Sequence, residues 1–229
     1  MKRHSGFTLI ELLIALALIG MMVSLLFGAL RFASKAWDAS DARLERDTTI
    51  TMLWQYLSDR FREARRINAH VQTEGDNYYF FQGEPDGVEF VAPMPATLGS
   101  GGLYIIRLVE GRVDGQRKLM LQRWFYHPDV LSGEADLPPW RPLKSSGGYR
   151  PGQEREGLRA WYSESALVDD LKQVRFRYYG IQEPGDEEAD WSDRWDEEKR
   201  RLPLLVRMEV EDGEGAWPVM TFALPGDFQ

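Results

Sequence analysis

The strongest pattern in the chain comes first. Residues 7–30 read FTLIELLIALALIGMMVSLLFGAL, with Glu11 as the single charge, and residues 12–30 carry none. In a helix rising 1.5 Å per residue, an uncharged run of about 19 residues is roughly as long as the hydrocarbon core of a bilayer is thick. Lys2 and Arg3 precede the run, which places the N-terminus on the cytoplasmic side and the residues after Arg31 outside. A cleaved secretory signal wants a shorter apolar stretch and a small-x-small site after it; only the stretch 33–36 faintly resembles one. A plain membrane anchor explains the length but not Glu11, whose charge costs about 2.5–3.5 kcal/mol or more at membrane depth. The pattern predicts one spanning helix with an acid that needs a partner.

Helix formers continue to Arg66, and Pro85 is the first proline. Residues 35–49 are largely polar around Leu44, as in a solvated connecting helix; then Ile50, Leu53, Leu57, Phe61 and Ala64 recur at three- and four-residue spacing. That stripe, widened by Trp54 and Ile67, predicts that the second half of the helix docks on a globular body. The whole helix would run about 60 residues, or roughly 90 Å. Gly20 and Gly28 read as helix-packing contacts rather than breaks.

After His70 the period changes from helical to alternating, in short β-rich runs separated by Gly and Pro. The runs 78–82, 88–92, 103–109, 119–126, 158–162, 174–179, 204–211 and 219–223 are the predicted strands, with hairpin turns at Asp114-Gly115 and Asp212-Gly213. Residues 166–172 read as a short helix or turn, and 131–156, rich in Pro and Gly, as a long surface loop. No internal repeat is visible. The predicted fold class is α+β: a long N-terminal transmembrane and amphipathic helix packed on an antiparallel β-sheet domain.

Composition narrows the function. The 229 residues carry 28 Lys and Arg against 36 Asp and Glu, a net charge of −8, and the basic excess of a nucleic-acid binder is missing. With no Cys in the chain, disulfides, zinc-thiolate sites and thiol nucleophiles are excluded, and His4, His70 and His127 lack ligand spacing. No H-E-x-x-H helix, G-x-S-x-G elbow or serine with an acid–base partner is present; residues 99–102, Gly-Ser-Gly-Gly, lack the Lys and helix of a phosphate cradle and read as a flexible loop. The expectation is no enzyme, with a membrane-anchored exported enzyme as the residual alternative.

Residues 2–12, KRHSGFTLIEL, closely resemble the leader of type IV pilins and type II secretion pseudopilins: a short basic leader, Gly, Phe, then an apolar helix with Glu at its fifth position. Residues 26–37 (LFGALRFASKAW), 171–180 (LKQVRFRYYG), the loop bearing Trp191 and Trp195, and 202–207 (LPLLVR) resemble the J-type minor pseudopilin of type II secretion. A minor pilin of a type IV pilus, or another minor pseudopilin, is the alternative.

The resemblance implies that a prepilin peptidase cuts between Gly6 and Phe7 and methylates the new amine of Phe7. The domains would be a leader at 1–6, an assembly helix at 7–30, the exported half of the helix at 31–67 and a periplasmic β-rich domain at 68–229. Phe7 and Glu11 would form an assembly charge pair between neighbouring subunits, neutralising two charges each costly alone. It further implies an inner-membrane location and a mechanical role, with I-type and K-type minor pseudopilins as partners in a pseudopilus tip complex. No cofactor is expected. Some pseudopilins bind calcium, and the acidic segment 183–198 is dense in oxygen ligands, but its spacing matches no EF-hand loop and a solvated acidic loop is the plainer reading. Of the eight Trp, Trp191 and Trp195, set among acids, are the interface candidates. The helix surface between residues 31 and 49, together with strand edges, is expected to meet partners.

Overall fold

The computed structural model describes residues 8–70, 77–95, 101–133, 140–143, 149, 161–183, 188–196 and 199–226. Helix α1 runs Leu9–Arg62, 54 residues, ending short of the 67 expected. The chain forms two compact units, the first reaching Thr51 and the second starting at Met52.

Among its described residues the first unit is helix alone. Its apolar stretch, Leu9–Lys35, has mean hydropathy 2.6 and no residue buried by the chain itself. The polar stretch that follows holds three threonines, a residue type that loses side-chain freedom in a helix. Their hydroxyls turn inward: Thr48, Thr49 and Thr51 donate to the carbonyls of Leu44, Glu45 and Asp47 at 2.7, 3.0 and 2.8 Å, the back-bonding that lets threonine sit in a helix.

In the second unit the last turns of α1 bury Leu53, Leu57 and Phe61, and Ala64 just past its end is buried too, as the spacing predicts. Trp54 does not widen the stripe; at 41% exposure it lies outside it, and Ser58 and Arg60 are buried instead. Phe61 stacks on Phe90 and Phe222 at 4.6 and 4.9 Å between ring centroids. After Arg62 the chain turns extended: the Arg65 amide donates to the Val91 carbonyl at 2.7 Å.

Among the described residues there are three antiparallel sheets. A small one pairs β1 (Asn68–His70) with β2 (Asn77–Tyr79). The first large sheet runs in chain order: β3 (Phe81–Glu84), β4 (Gly87–Pro93), β5 (Leu103–Val113), β6 (Gln116–Phe125), β7 (Tyr162–Val168). Its β5–β6 hairpin turns at Asp114 (φ 51°) and Gly115 (φ 80°) as expected, the two left-handed residues that a twisted hairpin requires. The second large sheet centres on β10 (Leu205–Asp212), with β8 (Gln173–Gly180) and then β9 (Asp190–Ser192) on one side. Along the other edge of β10 lie β11 (Gly215–Ala216) and β12 (Met220–Ala223) in succession.

The two large sheets are tied around the turn from β3 to β4. Gly83 and Trp195 exchange backbone hydrogen bonds of 2.6 and 2.9 Å, and the fully buried Tyr178 places its hydroxyl 2.9 Å from the carbonyls of Glu84 and Gly87.

Four expectations need correction. Residues 166–172 form neither helix nor turn throughout, since β7 continues to Val168 and the chain bends only at Asp169-Asp170, with Asp170 at φ 46°. Of the run 158–162 only Tyr162 is strand, and 158–160 lie outside the described residues. The β10–β11 loop is Gly213-Glu214, shifted by one, because the Asp212 carboxylate accepts from the amides of Glu214 and Gly215 at 2.8 and 3.0 Å. Finally, the connection after β6 is no mere surface loop. It contains α2 (Pro128–Ser132), capped by His127, whose ring nitrogen accepts from the Asp129 amide at 3.3 Å, and further on it buries Trp140 and Leu143.

Candidate assembly site

Gly6 and Phe7 of the expected leader site lie outside the described residues; Glu11 does not. It stands in the first turn of α1, where its amide and that of Leu12 donate to the Thr8 carbonyl at 3.1 and 3.3 Å. Thr8 and Glu11 have the spacing of a capping box, and the positive end of the helix favours the acid. That favour is about 0.3–1 kcal/mol, against a membrane cost of about 2.5–3.5 kcal/mol. The helix terminus alone does not offset the burial. Among the described residues Glu11 has no cation beside it. Around it, Leu9, Ile10, Leu12, Leu13 and Ile14 are 56–80% exposed, a surface that only a bilayer and other helices can cover.

Apolar exposure continues past the membrane at Phe32, Trp37 and Leu44. Trp37 and Leu44 are seven residues apart and share a helix face, the spacing of a coiled-coil seam.

The other concentration of chemistry is a polar row across the first large sheet. Gln82 faces Glu89, Glu89 faces Arg107, Arg107 faces Gln122 and Gln122 faces Glu164, one residue from each of the five strands. Four of these are buried: Gln82, Glu89, Arg107 and Gln122. On either side run apolar rows, Val91-Ile105-Trp124-Tyr162 and Gly87-Val109-Met120-Ala166. Glu89 accepts from the Tyr78 hydroxyl (3.0 Å), Arg107 Nε (2.8 Å) and Trp140 Nε1 (3.1 Å), while Arg107 also donates to the Arg141 carbonyl and lies over the Trp124 ring at 4.9 Å. Glu164 accepts from Tyr162 (2.6 Å), Gln122 (3.2 Å) and Tyr149 (3.4 Å). Burial, with the Glu164 charge added, raises the Tyr162 hydroxyl well above its usual range and pushes Tyr149 up to about 12. The row clamps Trp140, Arg141 and Tyr149 of the long connection onto the sheet. Glu89 and Glu164 stand three strands apart, roughly 14 Å, wider than the two-carboxylate spacing of glycosidases. None of this was visible in the sequence, where the members lie on five separate strands.

The interface candidates separate. Trp195 is fully buried, its indole against Gly180 and its Nε1 donating to the Arg201 carbonyl at 2.8 Å, so it is a core residue, not a surface anchor. Trp191 stays half-exposed on a sheet face. Of the acidic segment, Asp186, Glu187, Glu197 and Glu198 lie outside the described residues. Asp193 pairs with Arg175 and Arg177. Among the described residues no three His, Asp or Glu side chains converge as a metal site would need.

Comparison with known proteins follows the same two levels. Residues 1–27 match the prokaryotic N-terminal methylation motif, so the class is that of prepilin-type proteins, and with its apolar helix this is a single-pass inner-membrane protein. Over 223 residues the chain is 32% identical to the type II secretion system protein J of Xanthomonas campestris pv. campestris, covering 97% of this chain and 94% of that protein. The chain belongs to the type II secretion system protein J family.

Proposed function

We propose that this chain is a minor pseudopilin of the type II secretion machinery that joins I-type and K-type pseudopilins in the complex at the pseudopilus tip, where assembly starts and folded proteins are moved toward the outer membrane. The observation that carries the reading is the bare helix: an apolar span that none of the described residues covers and one acid with no cation beside it among them. Both conditions are met when helices of several subunits pack together. A prepilin peptidase would cut between Gly6 and Phe7 and methylate Phe7; the new amine would then pair with Glu11 of a neighbouring subunit. The leader would stay in the cytoplasm and the β domain stand in the periplasm. The work is assembly and recognition, without catalysis and without a cofactor, calcium included.

The test is co-purification of the full chain, extracted from membranes in mild detergent, with I-type and K-type pseudopilins from the same secretion system. A stable ternary species is the expected result. A chain that stays alone while the other two bind each other overturns the tip assignment.

A further inference from the structure

The outward face of the second large sheet carries an arrangement that the fold itself does not need. Arg177 on β8 and Arg207 on β10 are direct cross-strand partners, a like-charge opposition that costs stability. Both guanidinium groups approach the Trp191 ring, Arg207 at 4.2 Å and Arg177 at 5.9 Å from its centroid. A single carboxylate, Asp193, serves Arg175 (3.1 Å) and Arg177 (3.2 Å). Arg207 makes no hydrogen bond or ion pair among the described residues, and its Nε is shielded from solvent with no acceptor.

One row further along, Glu209 faces Arg175, whose guanidinium has turned to Asp193 instead. Next in line comes Glu211. Neither glutamate side chain has an ion pair among the described residues. Here the face is concave, a cavity of about 250 Å³ lined by Gln173, Arg175, Glu209, Glu211, Trp217 and Val219. Val219 is an apolar rim residue, 60% exposed. The face thus runs from arginines that share a single carboxylate to glutamates without an ion pair among the described residues, over about 7–14 Å, two to four residues of strand.

We propose that this face docks a neighbouring pseudopilin subunit that presents a carboxylate to Arg177 and Arg207 and, two to four extended residues away, a cation to Glu209 and Glu211. The inference rests on the tip-complex reading above and adds the surface and the chemistry that fits it. The acids on the face repel an anionic lipid surface, and the net charge of −8 opposes a second copy of the same chain. A partner with both signs satisfies both ends. The arginine opposition is then a cost carried by the free chain and relieved on docking.

That cost supplies the test. In the full chain, Arg207→Gln removes the repulsion and should leave thermal stability equal or higher, yet weaken assembly with the I- and K-type partners about tenfold and flatten its dependence on salt. The double reversal R177E/R207E should abolish assembly, and Arg207→Lys should retain most of it. If the wild-type complex forms and R177E/R207E assembles with unchanged affinity and salt dependence, the proposal is wrong. It is equally wrong if Arg207→Gln lowers stability and binding in proportion, or if the wild-type chain dimerises through this face. If no wild-type complex forms, the tip reading has failed and a second measurement decides the surface alone. A synthetic peptide alternating Thr with one Glu and one Lys two residues on should shift the Trp191 indole N–H resonance of the full chain in micelles, and its Gln-for-Glu analogue should not. Equal shifts, or none, overturn the surface.

Discussion

Glu89 offers the sharpest quantitative test of the polar row. Its carboxylate is fully buried and receives three donors, from Tyr78, Arg107 and Trp140. Glu89→Leu would leave Arg107, 3% exposed, with only the Arg141 carbonyl and the Trp124 ring among the described residues. Breaking a buried pair from one side costs about 3–5 kcal/mol; the stranded Tyr78 and Trp140 donors add to it, though less than their separate values of about 1–3 kcal/mol each, since all four groups share one network. Against a whole-domain stability of about 5–15 kcal/mol, this variant should sit near the edge of folding. The double variant Glu89→Leu/Arg107→Leu removes both charges and should recover most of the loss. Urea unfolding of the full chain in detergent, followed by tryptophan fluorescence, gives both numbers at constant slope. A single-variant cost under about 1 kcal/mol, or a double variant worse than the single, would refute the account of the row as a coupled buried pair.

Three further outcomes are expected. Glu11→Ala should yield a membrane-inserted, folded chain that fails to enter the assembled complex, read by co-purification; normal assembly removes the charge-pair role. Because Tyr149 and Tyr162 ionise above their ordinary value of 10 when folded, the folded state holds protons that the unfolded chain releases. Stability should therefore fall as pH rises from 10 toward about 12, and Tyr162→Phe should make that fall shallower in urea melts taken across the range. Gly180→Ala places a methyl 2.6 Å from the Trp195 indole, at ordinary backbone angles, and should cost about 1–3 kcal/mol by overpacking; a neutral result in the same assay would show that Trp195 can move aside.

Legibility in the sequence followed the range of the interaction. The leader and the spanning helix could be read because they depend on neighbours a few residues apart, and Leu53, Leu57 and Phe61 because a helical stripe is local. Trp54 failed for a related reason: spacing shows which residues neighbour the stripe, and only the shape of the body decides where its edge falls. Trp195 was unreadable because the feature that buries it, a side-chain-free Gly180 on another strand, is a matter of register. The polar row is the extreme case. Glu89, Arg107, Gln122 and Glu164 are spread over 76 positions (89 to 164), and nothing in their local sequence says that three strand registers bring them into line.

Charge in this chain does three different jobs, and one quantity separates them: where the partner is. At Glu89 every partner belongs to the same chain and is already in place, so the buried charge fixes register and holds a connection down without inviting anything. On the proposed assembly reading, Glu11 is the opposite case. Its cost in the membrane exceeds what the helix terminus returns, the described residues of its own chain supply no cation, and the deficit is met by another subunit. That makes insertion and assembly a single thermodynamic event. Arg177 and Arg207 fall between: half-buried, opposed, partly screened by Trp191 and Asp193, and therefore tolerable alone yet improved by contact. A deficit of several kcal/mol makes association obligatory, whereas one near 1 kcal/mol biases it and leaves it sensitive to salt. The prediction that separates the two is the salt response of assembly, steep for the sheet face and nearly flat for Glu11, because ions in solution reach the one and are excluded from the other.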